Sequence, residues 1–286
     1  MLPRRLYLCG GGVNAIAQIG VLQELEKRQQ LRLLVEWIGI SAGALLAMCL
    51  VAGYTLAECH EFMVGFDFNE LSDPDSAPGW VVNGGFDTGN RLQRLICALL
   101  NEKGYGPETT FEELHRKSGR ALRVYATDLN TATLVEYSPA ATPTYPLKYA
   151  VRASMSIPYY FQPVSCPQTG HLLVDGAVIT NFPFAWMSEA ERSETLAVCF
   201  QNKLEPQESL ELMDLVMRPI SILTSARQPN DIRPYMHQTI LVEIGKRSSI
   251  QFGIDAAEKE ALVALGRKGV EAYFARMRPV RRYSVA

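Results

Sequence analysis

The sequence lacks a hydrophobic run long enough to cross a membrane. Its longest apolar run, residues 42–52, falls well short of the roughly 20 residues that a transmembrane helix needs. The N-terminus carries Arg4 and Arg5, but the apolar stretch after them, 6–9, is too short for the hydrophobic region of a signal peptide. We therefore expect a cytoplasmic chain without a signal peptide or transmembrane helix, whose contact with membranes is at most peripheral.

The chain also lacks an excess of either charge and any paired cysteine motif. It has 28 basic and 30 acidic residues, so no global field attracts nucleic acid, and we expect no nucleic-acid partner. The cysteines are scattered without a C-x-x-C pair, which predicts reduced core residues and neither a zinc site nor a disulfide framework. They are Cys9, Cys49, Cys59, Cys97, Cys166 and Cys199. We expect no metal and no organic cofactor.

No linker, internal repeat or low-complexity segment divides the chain. With 286 residues, of which 48% are hydrophobic, it can bury a sizeable core. We therefore predict one domain over residues 1–286. The sequence gives no information on oligomeric state.

The most informative stretch is Gly39-Ile40-Ser41-Ala42-Gly43. The β-branched and aromatic run 35–40 predicts a buried strand before it, and the apolar run 42–52 predicts a helix after it. A serine in G-x-S-x-G between a strand and a helix is typical of a nucleophile elbow, in which Gly39 and Gly43 leave room for a sharp turn. Ser41 would also begin a helix, where free N–H groups favour developing negative charge.

A second glycine-rich turn, Gly10-Gly11-Gly12, follows a predicted strand at 5–9 and precedes a helical pattern from Val13. With Asn14 and Ala15 it fits the dinucleotide pattern G-x-G-x-x-A, but Ser41 stands where a ribose-binding acid would be expected. A purely structural tight turn is another interpretation. We favour a third, an oxyanion hole, because consecutive glycines expose main-chain N–H groups beside the nucleophile.

The order strand, helix, strand, helix at the N-terminus predicts a mainly parallel sheet covered by helices. Asp175 ends a predicted buried strand at 172–175 and precedes Gly176. A carboxylate in this position can be fixed by packing and directed at a site at the strand ends. Asp-Gly alone is also an ordinary turn signal.

Other segments receive coarser predictions. Strands are predicted at 121–127, 134–137, 196–200 and 239–244, and helices at 92–100, 146–154, 208–225 and 255–274. Residues 67–89 contain Pro74, Pro78 and several glycines, which predicts an irregular segment. Trp80, Val81, Val82 and Phe86 give it either a lid or membrane-docking role or a packing role over the core. The cluster Arg276, Arg278, Arg281 and Arg282 is typical of a solvated tail or a contact with anionic lipid.

Taken together and in this order, the motifs resemble those of the patatin-like phospholipase family. The matching pieces are Gly10–Gly12 with Ile19-Gly20-Val21-Leu22, Gly39–Gly43, Ala153-Ser154-Met155-Ser156-Ile157-Pro158, and Asp175-Gly176-Ala177 with Asn181 and Pro183. They cover about residues 6–185. The role of residues 190–286 is not indicated by the resemblance.

This resemblance implies a three-layer α/β/α fold with a nucleophile elbow and a Ser–Asp dyad. Ser41 would be the nucleophile, Asp175 its base, and the loop Gly10, Gly11, Gly12, Val13 and Asn14 the oxyanion hole, with Gly39, Gly43 and Gly176 in supporting positions. The implied activity is lipid acyl hydrolysis of the phospholipase A or lysophospholipase type, with a phospholipid or lysophospholipid as substrate. The family usually has Arg or Lys where this chain has Asn14, and then a glycine where it has Ala15.

Two alternatives remain open at this point. The first is an esterase with a Ser-His-Asp triad, in which His237 follows Asp175 or Asp128 in the required chain order. The second is a catalytically silent lipid-binding or scaffold protein on the same fold, which the departure at Asn14 favours.

Overall fold

The computed structural model describes residues 2–202, 206, 208–210, 212–245 and 252–277. Of the predicted basic cluster, Arg278, Arg281 and Arg282 lie outside these residues. Arg276 is described, and it donates hydrogen bonds to the carbonyls of Met236 and Thr239. It therefore holds the last helix against the preceding strand.

The described residues form both strands and helices along the chain. The strands are β1 (Arg5–Leu8), β2 (Glu36–Gly39), β3 (Gly85–Asp87), β4 (Ala121–Asp128), β5 (Thr133–Tyr137), β6 (Tyr159–Phe161), β7 (Val164–Ser165), β8 (Leu172–Asp175), β9 (Thr195–Asn202) and β10 (Thr239–Gly245). The helices are α1 (Ile16–Lys27), α2 (Ala42–Ala52), α3 (Leu56–Gly65), α4 (Ala77–Asn83), α5 (Asn90–Glu102), α6 (Phe111–Ser118), α7 (Leu147–Ser154), α8 (Glu189–Ser193), α9 (Leu212–Ile232) and α10 (Ala256–Met277). Short 3₁₀ turns lie at Gly12–Ala15, Phe68–Leu71, Gly176–Val178, Pro183–Trp186 and Arg233–Gln238.

The central sheet has the order β10-β9-β1-β2-β4-β8-β7, and β5 also pairs with β4. The five strands from β10 to β4 are parallel, whereas β8 and β5 run antiparallel to β4 and β7 runs antiparallel to β8. A separate parallel pair joins β3 to β6. The predicted mainly parallel sheet is confirmed.

The helices that connect the parallel strands lie on both faces of this sheet. The connections β1–α1–β2 and β2–α2 to β4 advance in one direction across the sheet, and β9–α9–β10 returns in the other. Because such crossovers are right-handed, the two sets cover opposite faces. The result is the predicted three-layer α/β/α fold. No helix in the described ranges is both long and apolar enough to cross a membrane.

The C-terminal third is built into this fold. β9 pairs directly with β1, and α10 packs against α1 and β10. The helices approach so closely that a Cβ at Gly20 would overlap the carbonyl of Val263, and one at Gly266 would overlap that of Ala17. These glycines allow backbone-to-backbone contact between the first and last helices.

Two predicted segments differ from the structure. Residues 67–89 are not irregular throughout, because Ser76 caps α4 by accepting the N–H of Gly79, and Pro78 fits the first helical turn. The helix predicted at 208–225 begins at Leu212 and continues to Ile232 despite Pro219 and Pro229. Proline and glycine signals overstated the irregularity of residues 67–89, whereas the second segment is helical as predicted but with different ends.

Candidate active site

Strand register brings the predicted site residues to one level at the carboxyl edge of the sheet. Leu8 of β1 pairs with Gly39 of β2, and Gly39 pairs with Val124 of β4. Two residues further along each chain lie Gly10, Ser41 and Ala126, and Ala126 pairs with Asp175 at the end of β8. A Cβ added to Gly10 would lie 2.9 Å from the Cβ of Ser41. The glycine loop, the serine and the aspartate therefore meet.

Ser41 has the backbone conformation of an elbow. Its φ of 56° and ψ of −131° are rarely adopted by a residue with a side chain, and Ser41 is immediately followed by α2. A Cβ at Gly39 would overlap the backbone of Ala44, and one at Gly43 would overlap the carbonyl of Leu8. Both glycines are therefore required for α2 to begin directly against the ends of β1 and β2.

Asp175 lies in a buried, hydrogen-bonded position. Its carboxylate lies close enough to the Ser41 side chain for that side chain to lower its pKa, and its Oδ1 accepts the N–H of Ala177 at 2.9 Å. Burial raises the pKa of Asp175 to about 7, although both of these neighbours act in the opposite direction. Gly176 follows because a Cβ there would lie 2.7 Å from the carbonyl of Tyr125. The environment thus makes this carboxylate a stronger base than an exposed one.

The glycine loop supplies free main-chain donors, but not from every residue that the sequence indicated. The N–H of Gly10 donates to Oδ1 of Asn181 at 2.7 Å, and Nδ2 of Asn181 donates to the carbonyl of Gly10 at 3.0 Å. The N–H of Gly10 is therefore already used, and the donors available for the predicted oxyanion hole come from the residues that follow it. Gly12 and Val13 begin a 3₁₀ turn, where N–H groups have no partner within the turn, and both line the pocket beside Ser41.

Asn14 is fully buried beneath this loop. Its main-chain N–H donates to the carbonyl of Gly11 at 3.0 Å. Neither polar atom of its side chain has a hydrogen-bond partner among the described residues. Asn14 does not line the pocket, so the structure does not bring its carboxamide to the position that the resemblance indicated.

An apolar pocket extends from Ser41 and is lined almost entirely by hydrophobic side chains. Helices α2 and α3 form one wall and β6 with its preceding turn forms another. The lining includes Leu45, Leu46, Cys49, Cys59, Phe62, Met63, Leu92, Leu99, Met155, Ile157, Tyr160, Phe161 and Phe252. Such a lining is suited to a hydrocarbon chain.

A series of aromatic rings connects this pocket to an exposed apolar tip on α4. Tyr160 lines the pocket, its ring centroid lies 6.1 Å from that of Phe86, and Phe86 lies 4.8 Å from Trp80. On the outer side of α4, Val81 and Val82 are 87% and 82% exposed. The segment that begins at Asp67 therefore both packs over the pocket and presents apolar side chains to solvent.

The structure does not bring His237 to Ser41. His237 lies two residues before β10, which enters the sheet in parallel with the strand neighbouring β1. Ser41 instead follows the carboxyl end of β2, so the two lie at opposite ends of the sheet. His171 is paired with Asp128 at 2.8 Å, at the opposite end of β8 from Asp175. In the described part of the chain, no three His, Cys, Asp or Glu side chains form a metal site.

Two residues with clear positions at this site had no role in the sequence interpretation. Asn181 holds Gly10 through both polar atoms of its side chain. Ser154 accepts the main-chain N–H of Ser41 at 2.9 Å. Both belong to segments singled out as motifs, but spacing gave no signal of their partners, which lie 171 and 113 residues away.

Known proteins share sequence and fold with this chain. The sequence model of the family described as patatin-like phospholipase matches residues 6–185. The chain is 27% identical to the uncharacterized protein YqhO of Bacillus subtilis, over 92% of this chain and 95% of that one. It is 21% identical to the probable lipid hydrolase 463L of invertebrate iridescent virus 6, over 99% and 92% of the two chains. Among solved structures, VipD from Legionella pneumophila is similar with a TM-score of 0.66 and 15% identity, covering 96% of this chain and 67% of VipD.

Proposed function

The chain belongs to the patatin-like phospholipase family, and on this premise we propose that it is a serine lipid acyl hydrolase of the phospholipase A or lysophospholipase type. One observation carries the proposal. Ser41, Asp175 and the glycine-loop donors converge at the end of an apolar pocket, although they come from distant parts of the sequence. The viral relative described as a probable lipid hydrolase supports the same class of substrate.

In the first half of the reaction, Asp175 accepts the proton of the Ser41 hydroxyl as Oγ attacks the ester carbonyl. The free N–H groups of Gly12 and Val13, which line the pocket beside Ser41, stabilise the developing oxyanion. The tetrahedral intermediate then collapses. The ester C–O bond breaks, and the leaving alcohol takes the proton from Asp175, which leaves the acyl group on Ser41.

In the second half, Asp175 accepts a proton from water as the water oxygen attacks the acyl-enzyme carbonyl. Breaking the bond to Ser41 returns the proton to Oγ and releases the fatty acid. The mechanism uses no metal or organic cofactor. Since Asp175 acts twice as a base, its raised pKa contributes to both halves.

The pocket lining argues for an acyl chain as the group bound beyond Ser41. Each methylene removed from water contributes about 0.8 kcal/mol, so a long chain gains binding energy along the walls formed by α2 and α3. The pocket presents few polar groups, and one of them is Asp87. Its carboxylate accepts the N–H groups of Asp73 and Gly89 at 2.6 and 2.7 Å. These bonds hold the segment before α5 in place.

We also propose that the substrate is taken from a lipid surface that contacts α4. Val81 and Val82 are the most exposed large apolar side chains of the described residues, and the aromatic series through Phe86 and Tyr160 leads from them to the pocket. Contact with a lipid surface would cover these side chains and place the pocket near its substrate.

The test is fatty-acid release from mixed micelles of phospholipid and lysophospholipid by the wild type, Ser41→Ala and Asp175→Asn. We expect release by the wild type and its loss by a factor of 10³ or more in both variants. A fluorophosphonate that labels the wild type but not Ser41→Ala would identify the nucleophile independently of substrate choice.

Other results would change the assignment. Activity retained by Ser41→Ala would exclude the acyl-enzyme mechanism. A wild type that is labelled at Ser41 but releases no fatty acid from either lipid would contradict the proposed substrate class. A wild type that is neither labelled nor active would favour a silent binding protein on this fold.

A further inference from the structure

A buried segment behind the site contacts the main chains of both Ser41 and Asp175. It comprises residues 154–157, directly at the end of α7, and belongs to the Ser-x-Ser-x-Pro motif that has no assigned role in the reaction. Its side chains alternate in direction. Ser154 and Ser156 are fully buried, whereas Met155 and Ile157 line the apolar pocket.

The Ser154 hydroxyl has a fixed orientation. It donates its only proton to the carbonyl of Tyr125 at 2.7 Å and accepts the main-chain N–H of Ser41 at 2.9 Å. Tyr125 belongs to β4, which pairs with β2 along the strand that leads into Ser41. Because the proton is committed to Tyr125, the oxygen presents a lone pair to Ser41 and cannot rotate away without losing a bond.

Ser41 needs such a contact because its backbone is in an unfavourable conformation. A residue held at a φ of 56° persists only where its surroundings determine it. A hydrogen bond to the main-chain N–H of Ser41 can stabilise the elbow from the side that faces away from the substrate. Ser154 therefore opposes rotation of the peptide that would move Oγ relative to Asp175.

The same segment holds Asp175, but through its main chain. The carbonyl of Ser156 accepts the N–H of Asp175 at 2.9 Å. The hydroxyl of Ser156 is used elsewhere, since it donates to the carbonyl of Arg152 at 2.8 Å. Among the two serines, only Ser154 thus acts on the dyad through its side chain.

We infer that Ser154 is a positioning residue for the nucleophile: its hydroxyl fixes the Ser41 peptide between β4 and α7 and thereby sets the distance from Ser41 Oγ to Asp175. This inference rests on the proposed function. We therefore expect a change at Ser154 to slow the chemical step. Acyl-chain binding should not change, because Met155 and Ile157 still form the pocket wall in any Ser154 variant.

The experiment compares Ser154→Ala and Ser154→Cys with Ser138→Ala. Ser138 is a matched control, since it is equally buried and its hydroxyl accepts the main-chain N–H of Ala141 at 3.1 Å, but it lies after β5 and does not line the pocket. Cysteine at 154 preserves the side-chain shape with a weaker acceptor, so it carries the test if the alanine variant does not fold.

Four quantities are measured for each purified variant: kcat and KM on a soluble ester, the rate constant for labelling by a fluorophosphonate, and the melting temperature. We expect Ser154→Ala to lower kcat and the labelling rate about 10- to 100-fold with KM within twofold, and Ser154→Cys to lie between it and the wild type. Ser138→Ala should change the melting temperature alone.

A folded Ser154 variant with wild-type kcat and labelling rate would overturn the inference, as would equal losses in kcat for the Ser138 and Ser154 variants. Failure of the proposed function gives a different result. In that case either Ser41→Ala retains the activity of the wild type, or the wild type itself shows no activity. If Ser41→Ala is inactive while the Ser154 variants are fully active, only the role of Ser154 is wrong.

Discussion

In the proposed mechanism, Asp175 must lose its own proton before it can accept one from Ser41, and burial moves that loss to a pH near neutrality. With a pKa raised to about 7, the carboxyl is mostly protonated at pH 6 and mostly ionised at pH 8. We therefore expect kcat/KM on a soluble ester to rise with pH and level off, with a midpoint near 7. A midpoint near 4 would mean that Asp175 is not the base, or is not buried when it acts.

The same group should make stability depend on pH in the opposite direction. An Asp with a folded pKa of about 7 and an unfolded pKa near 4 stabilises the fold fully only below pH 4, and this contribution disappears as pH rises through 7. The loss is at most about 4 kcal/mol. Asp175→Asn has no titrating group at this position, so it does not undergo this loss of stability. The variant should therefore melt at a higher temperature than the wild type at pH 8, although it should be inactive. At pH 4 the difference should be smallest, and a constant difference across this range would contradict the assignment.

Asn14 allows a test of which groups form the proposed oxyanion hole. Its carboxamide is fully buried without a hydrogen-bond partner among the described residues, and such a group usually reduces stability. We expect Asn14→Leu, of similar shape, to keep kcat within about threefold and to melt at an equal or higher temperature. Since loss of one oxyanion donor costs about 10²–10³ in rate, a fall of that size would place Asn14 among the donors.

At the scale of secondary structure, the elbow was predictable and the arrangement around it was not. Strand, Gly39-x-Ser41-x-Gly43 and helix are adjacent in sequence, so local pattern was sufficient. Asp175 is different. Its approach to Ser41 depends on the antiparallel pairing of β8 with β4, which local pattern does not encode. Asp-Gly by itself left the turn interpretation open, and only the set of family motifs selected Asp175 as the proposed partner of Ser41.

Local sequence pattern was also insufficient for the glycine loop and for residues 67–89. Consecutive glycines indicated free N–H groups, but the engagement of Gly10 depends on Asn181, which lies far along the chain. In residues 67–89, proline and glycine suggested irregular structure. The cap at Ser76 and the pairing of β3 with β6 nevertheless order part of this segment. Hydrogen-bond partners that are distant in sequence account for both differences.

The contact between α1 and α10 predicts a strong effect from a small change. Gly266→Ala should destabilise the protein by about 3 kcal/mol, because its Cβ would overlap the carbonyl of Ala17 and force the helices apart. The gain of about 1 kcal/mol in helix propensity does not offset this overlap. Gly65→Ala at the end of α3 is the control, since no atom lies within 4 Å of the added Cβ. Equal unfolding midpoints for the two variants in denaturant would show that α10 does not pack as described.

For the molecule as a whole, the packing of α10 against α1 indicates how far the domain extends along the chain. The family match ends at residue 185, but β9 lies beside β1 and α10 covers the N-terminal helix. Removing residues after 185 would expose one side of β1 and the buried face of α1. We therefore propose that the described residues before and after 185 fold as one domain.

The exposed apolar side chains of α4 form the proposed contact with a lipid surface. Val81 and Val82 lose little packing when replaced, so Val81→Asp combined with Val82→Asp should leave stability nearly unchanged. Burial of two valines contributes about 3 kcal/mol or more, which corresponds to about 100-fold in affinity for a lipid surface. The double variant should therefore bind vesicles of zwitterionic lipid far more weakly than the wild type in a sedimentation assay.

Activity separates this surface effect from damage to the active site. We expect the double variant to release fatty acid from vesicles at least 10-fold more slowly than the wild type, but to hydrolyse a soluble short-chain ester with kcat/KM within twofold. Leu33→Asp is the control, because Leu33 is also exposed and precedes β2, at the end of the sheet away from Ser41. If this control reduces vesicle binding as much as the double variant, the loss reflects added negative charge and not contact through α4. If neither does, the protein reaches its substrate by another surface.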